Sequence, residues 1–171
     1  SDPMRLPTRK SEKIARLKNQ DDQFLTPEAI ERMKRDHDRL IHEERPRVAE
    51  EVRRTGEMGD FSENAAYQIA KGNLRRINNQ ILVLQDRIAR AIVVTHGADD
   101  GVVRIGSTIV LRSNGQTLTY RIVGSLETDP SRGYISHTSP LGSALIGHKI
   151  HEQIAINTNG HRTSYEILEI K

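Results

Sequence analysis

Gly59-Asp60-Phe61-Ser62-Glu63-Asn64-Ala65-Ala66-Tyr67 separates two long amphipathic patterns and places two carboxylates where the chain must reverse. Before it, from Pro27 to about Thr55, apolar residues recur at Ile30, Met33, Leu40, Ile41, Val48 and Val52, which is helical spacing. After it, Ala70, Leu74, Ile77, Ile81, Leu84, Ile88 and Ala91 step by four and three, the a/d rhythm of a coiled coil. A short turn between two such helices makes them antiparallel neighbours. At ~1.5 Å per residue the hairpin spans roughly 40 to 45 Å, so the acidic turn is expected at the end of a long rod.

Two readings of that acidic pair stand side by side. Asp60 is a good N-cap residue, and Glu63 three places later completes a capping box in its Asp form. The same two carboxylates also suit metal or proton chemistry. The readings are compatible, because a cap fixes the carboxylates in position while leaving some of their oxygens free.

The flanking chain supports a hairpin. Thr26-Pro27 is a helix start, with threonine as N-cap and proline at the first helical position. Pro46 removes a backbone hydrogen bond inside the first pattern and should bend or divide that helix. Gly56 and Gly59 allow the turn. His37 and Glu44 fall at or near the seam, where their polar ends are expected to reach solvent. Acidic and basic residues alternate along the first helix, whereas the second has Lys71, Arg75, Arg76, Arg87 and Arg90 against Asp86. Such charges read either as a solvated face or as a basic stripe following a phosphate backbone.

His96-Gly97-Ala98-Asp99-Asp100-Gly101 breaks the helical period and marks a domain boundary. Beyond it the period becomes two. Strands are expected at 107–111 and 118–123 around Asn114-Gly115, at 133–137, and at 154–157 and 164–170 around Asn159-Gly160; Asn-Gly between β-rich runs signals a hairpin. Pro140 to Ile146 suits a short helix capped by Ser139 and stopped by Gly147. The chain is therefore α+β, with an N-terminal antiparallel coiled-coil hairpin followed by an antiparallel sheet and one short helix. Residues 1–24 form a basic flexible arm, 25–97 the hairpin with its acidic tip at 59–64, and 98–171 the sheet domain.

Composition narrows the function classes. The 171 residues carry a formal net charge of +3, 4% aromatic residues and no cysteine, so disulfide frameworks and thiolate metal sites are excluded. No apolar run reaches membrane-spanning length and no signal-peptide core precedes the fold, which points to the cytoplasm. His148 and His151 are three apart but lack the further ligands zinc needs. No phosphate-binding glycine loop or nucleophilic triad occurs. Asp60 and Glu63 by themselves are too few to hold magnesium, which demands six oxygen ligands.

Leu25-Thr26-Pro27, Arg45-Pro46, the turn sequence at 59–67 and Ser139-Pro140-Leu141-Gly142-Ser143-Ala144-Leu145-Ile146-Gly147 together resemble the bacterial transcript-cleavage factors GreA and GreB. The resemblance is collinear from about Leu25 to the end, and it departs at Gly56, where the family commonly has arginine. It implies a second domain with the fold of the FK506-binding prolyl isomerases. It also implies a non-enzymatic elongation factor, expected as a monomer, whose tip enters the secondary channel of RNA polymerase. There Asp60 and Glu63 would help the polymerase retain a shared Mg²⁺ and orient a water that cuts the backtracked 3′ end of the nascent RNA. By position, Ser62 and Asn64 would flank the pair against polymerase or RNA, and Lys71 and Arg75 would contact the RNA. Two alternatives remain open: a channel-binding regulator that promotes no cleavage, and a free-standing prolyl isomerase, which its few aromatic residues disfavour.

Overall fold

A computed structural model describes residues 22–59, 64–95 and 100–171. They form two compact units: Pro27–Ala91, and Ile92–Lys171 together with the chain up to Thr26.

In the first unit, helix α1 (Pro27–Arg39) leads through a π-helical turn, Leu40–Glu44, into α2 (Arg45–Gly56), and α3 (Ala65–Arg90) returns. The backbone stays right-handed across the π turn, with φ −61° at both Arg39 and Arg45. Arg45 N–H reaches back five residues to the Leu40 carbonyl. The expected division of the first helix thus takes the form of a wider turn, because Pro46 has no N–H for the usual partner four residues back and its ring crowds that carbonyl. Leu40 and Val48 are buried against Ile77 and Ile81 of α3, with Ile41, Leu74 and Leu84 packed around them. This is the seam that the apolar spacing predicts. His37 departs from expectation: one-fifth of its side-chain surface is exposed and its Nε2 is buried without a hydrogen-bond partner.

The exposed face of α2 is laced by pairs within the helix. Arg53 bonds Glu50 and Glu57, Arg54 bonds Glu51, and Arg47 bonds Glu44. The Arg47 hydrogen bond, and then its charge, hold the Glu44 carboxyl below its ordinary range; Arg53 does the same for Glu50.

The second unit contains a five-stranded sheet in the order β5-β4-β3-β7-β6. Its strands are β3 (Thr108–Ser113), β4 (Gln116–Val123), β5 (Tyr134–Ser136), β6 (Gln153–Thr158) and β7 (His161–Ile170). Both Asn-Gly pairs sit at hairpin turns with positive φ, 51° and 74° at Asn114-Gly115 and 51° and 80° at Asn159-Gly160, as such turns require. The sheet is antiparallel except at one edge, where β5 runs parallel to β4. That edge departs from the purely antiparallel expectation, because 3₁₀ turns at Ser125–Glu127 and Pro130–Arg132 carry the chain back before β5 begins. Helix α4 (Pro140–Leu145) is capped by Ser139, whose side chain accepts from Gly142 N–H. It covers one face of the sheet, where Val103, Ile109, Leu111, Ile122, Ile154 and Ile167 are buried with Leu145.

Two short strands escape the periodicity. β1 (Phe24–Leu25) pairs in parallel with β2 (Ile92–Val93). The segment leading into α1 is held to the sheet unit by side-chain bonds at both its ends. Asp22 accepts from Ser125 N–H and lies 2.7 Å from His137 Nε2, while the Thr26 amide and hydroxyl both donate to the Glu127 carboxylate. The boundaries of the helical unit therefore lie at Pro27 and Ala91, inside the 25–97 span of the sequence reading. Among the described residues no helix is long and apolar enough to cross a membrane.

Gly124 has an ordinary φ of −70°, but a Cβ on it would overlap the Phe24 carbonyl. Gly124→Ala should therefore displace β1. Hydrogen exchange is expected to lose protection at Ile92 and Val94, whose amides donate to Gln23 and Leu25, while the amides within β3 and β7 stay protected. Ile77→Ala should cost about 2 to 5 kcal/mol by urea unfolding. Because the Glu44 and Glu50 carboxyls are depressed in the fold, their contribution is present above the unfolded carboxyl range and lost as pH falls through the folded values. Because both pairs are exposed, helix melting followed by circular dichroism should fall only slightly as the pH drops below the ordinary glutamate range.

Candidate functional site at the hairpin turn

Helix α2 ends at Gly56, and Gly59, at φ 120° with open space where a Cβ would be, turns the chain through a conformation that side-chain-bearing residues avoid. The chain is described again at Asn64, the N-cap of α3. Its side-chain oxygen accepts from Tyr67 N–H at 3.0 Å, and its side-chain nitrogen donates to the Thr55 carbonyl at 2.6 Å. Thr55 is almost fully buried. Its hydroxyl donates to the Glu51 carbonyl, and its own carbonyl also accepts from Met58 N–H. The two ends of the turn are thus tied together at Thr55 and Asn64.

Asp60, Ser62 and Glu63 lie outside the described residues. The capping-box reading of Asp60 and Glu63 for the second helix, however, meets a concrete result: α3 begins at Ala65 and its cap is Asn64. Asp60 stands four residues too early to cap that start. The sequence reading placed the cap too early because Asp60 and Asn64 are equally good N-caps by residue type, and only the observed start of the helix separates them.

Tyr67, Lys71 and Arg75 follow at four-residue steps, which puts them on one stripe of α3. The Lys71 ammonium lies over the Tyr67 ring, 5.1 Å from its centroid, an arrangement that holds a cation without neutralising it. Neither Lys71 nor Arg75 has a carboxylate within ion-pair distance among the described residues, whereas Arg47, Arg53 and Arg54 of α2 are all paired. Along α2 the charges therefore satisfy one another, and on α3 beside the turn they stay open. Sequence reasoning missed Thr55 as the anchor and Tyr67 as the platform for Lys71. The four-residue spacing of Tyr67 and Lys71 was the available signal for the second; a mid-helix threonine gave none for the first.

Elsewhere, the segment from 148 to 151 is a turn and not a helix, with His151 at φ 70°. His148 and His151 therefore share no helical face, and His148 pairs with Glu152. Among the described residues no group of three or more histidine, aspartate or glutamate side chains is disposed to hold a metal.

Comparison with known proteins covers both units. Residues 23–93 match the family described as "Transcription elongation factor, N-terminal", and residues 98–171 match "Transcription elongation factor, GreA/GreB, C-term". A transcription elongation factor GreA from Trichlorobacter lovleyi is 41% identical over 150 residues, covering 86% of this chain and 95% of that protein. One from Thermomicrobium roseum is 34% identical over 149 residues, covering 86% of this chain and 96% of its own. The crystal structure of GreA factor homolog 1 from Thermus thermophilus is 24% identical, covers 88% of this chain and 99% of its own, and has a TM-score of 0.40.

Capping by Asn64 sets up a direct comparison. Asn64→Ala should lower stability by about 1 to 2 kcal/mol in urea unfolding, through loss of the cap and of the tie to Thr55. Asp60→Ala and Glu63→Ala should stay within about 0.5 kcal/mol of the parent. A loss at Asp60 equal to that at Asn64 would return the capping role to the carboxylates.

Proposed function

This chain belongs to the GreA/GreB family of transcription elongation factors, and on that premise we propose that it binds bacterial RNA polymerase through the secondary channel and stimulates the polymerase's own cleavage of backtracked nascent RNA. The observation that carries this reading is the capping of α3 by Asn64. Asn64 and Thr55 anchor the two ends of the short connection that carries Asp60 and Glu63 in sequence.

Asp60 and Glu63 supply two carboxylate ligands at most, so they fit a shared Mg²⁺ site and not an independent one. The remaining ligands must come from the polymerase, which makes the factor an accessory and not an enzyme by itself. The bound ion supplies Lewis acidity and a water of lowered pKa, the chemistry of a two-metal phosphodiester cleavage. This chain's part is to hold one side of that site and to orient the attacking water through a carboxylate oxygen. Asn64 fixes the start of α3, Ser62 and Asn64 lie on either side of Glu63 in sequence, and Tyr67 steadies Lys71. Lys71 and Arg75, on one stripe and without a carboxylate partner among the described residues, are suited to the phosphates of the RNA 3′ segment, where each interaction adds salt-dependent affinity.

In stalled, backtracked elongation complexes with Mg²⁺ near neutral pH, the chain should shorten the RNA. Asp60→Asn and Glu63→Gln should bind polymerase equally well and lower the cleavage rate by about 100-fold or more, the scale on which removing a positioned catalytic group acts. Lys71→Gln should weaken binding to backtracked complexes while leaving cleavage at saturating factor largely intact. Binding by the parent chain with no RNA shortening would instead identify a regulator that occupies the channel.

A further inference from the structure

The sheet unit contains a second group of open cations. Tyr134 opens β5 directly opposite Arg121 of β4, and the Arg121 guanidinium carbon lies 5.8 Å from the ring centroid. Arg132 folds back over the same ring, 4.5 Å from the centroid, and donates to the Tyr134 hydroxyl at 3.0 Å. The turn that delivers Arg132 is firmly built. Asp129 caps it, accepting from the Ser131 amide and hydroxyl. The next residue, Gly133, is at φ 73°, where a Cβ would come within 2.6 Å of the Thr119 carbonyl.

The Asp129 carboxyl, held below its ordinary range by the Ser131 hydroxyl and in smaller part by the Arg132 charge, is near enough to be felt by Arg132 without forming an ion pair with it. Arg104 is paired with Asp100 and Arg112 with Glu166, but no carboxylate among the described residues lies within ion-pair distance of Arg121 or Arg132. Arg121 Nε is buried and has no hydrogen-bond partner. Tyr134 also sits apart from the core that Tyr120 and Tyr165 help to pack. A chain with 4% aromatic residues thus places one of them at a sheet edge within 5.8 Å of two guanidinium groups.

Beside this pair runs a row of hydroxyls. Tyr120 and Ile122 pack against the core, so alternation along β4 puts Thr117, Thr119 and Arg121 on the opposite face. We infer that Arg121, Arg132 and Tyr134, with Thr117 and Thr119, form a binding site for the sugar–phosphate backbone of a single-stranded nucleic acid. Guanidinium, threonine and tyrosine hydroxyl groups are the side chains that bind phosphate and sugar. Arginine beside tyrosine is also the pairing that holds unstacked strands. The row repeats every two residues, about 6.8 Å, which suits a polyanion of regular repeat better than the irregular carboxylates of an acidic protein. The inference does not rest on the cleavage reading, since it uses no residue of the hairpin turn.

Fluorescence anisotropy with the full chain tests it, using a labelled single-stranded 20-mer RNA, the same sequence as DNA, and a labelled 20-residue glutamate peptide, between 50 and 200 mM KCl. Arg121→Gln/Arg132→Gln should weaken binding to RNA, DNA or both by at least about tenfold. It should also reduce the slope of log affinity against log salt by about 1.4, or 0.7 for each phosphate of a single strand that is no longer neutralised. Should the double variant lose its native circular dichroism, Arg132→Gln alone, on an exposed side chain, should reduce the slope by about 0.7. Unchanged affinity and slope for both nucleic acids would overturn the site, as would a parent chain that binds neither. A loss confined to the glutamate peptide would assign the cluster to an acidic protein surface instead.

Discussion

The side-chain amide of Asn64 works in two directions. Its oxygen satisfies the Tyr67 N–H at the start of α3, where backbone donors have no helical partner, and its nitrogen reaches back to the carbonyl of Thr55 near the end of α2. The orientation is dictated by the partners: an N–H demands the oxygen, and a carbonyl demands the nitrogen. One residue therefore begins one helix and ties it to the other. The packing of Val48 against Ile77 and Ile81 draws the helices together, but apolar packing tolerates sliding along the seam. A pair of directional hydrogen bonds at its end fixes the register, and with it the positions from which Tyr67, Lys71 and Arg75 project.

Charge is distributed to the same effect. On α2 each of Arg47, Arg53 and Arg54 has a glutamate three residues earlier, so the helix neutralises its own surface; exposed pairs of this kind add little to stability. Beside the turn the cation at Lys71 rests on an aromatic ring, and at the sheet edge Arg121 and Arg132 do the same with Tyr134. A ring steadies a cation without cancelling its charge. The two units thus keep positive charge available by the same physical means, and both places lie where the fold has no core to build.

Long patterns were legible in the sequence and short ones were not. The four-three alternation from Ala70 to Leu84 identified the buried face of α3, both Asn-Gly pairs marked hairpins, and Ser139 and Gly147 bracketed α4, because each is a local choice that packing reinforces. β1 and β2 are two residues each, too short for any period to show, and they exist because Asp22 and Thr26 find partners more than a hundred positions away. The parallel edge at β5 depends on two 3₁₀ turns with no periodic signature. For the candidate site the sequence offers residue types alone, with Asp60, Glu63, Lys71 and Arg75 named from spacing and resemblance. The boundary of α3 was not legible, because Asp60 and Asn64 compete for the same role and propensity ranks them together.

The tether of residues 22–26 bears on how the chain comes into being. Asp22 meets Ser125 across 103 positions and Thr26 meets Glu127 across 101, so during synthesis these early residues leave the ribosome long before their partners exist. The helical hairpin is complete in sequence by Ala91 and can form while translation continues, since its packing closes within its own span. The sheet unit waits for the second half of the message. β1 and β2 flank the helical hairpin in sequence, and the bonds of Asp22 and Thr26 to Ser125 and Glu127 can close only after this later part of the chain has been made. A nascent chain halted before Ser125 would carry a finished rod and an unanchored tether.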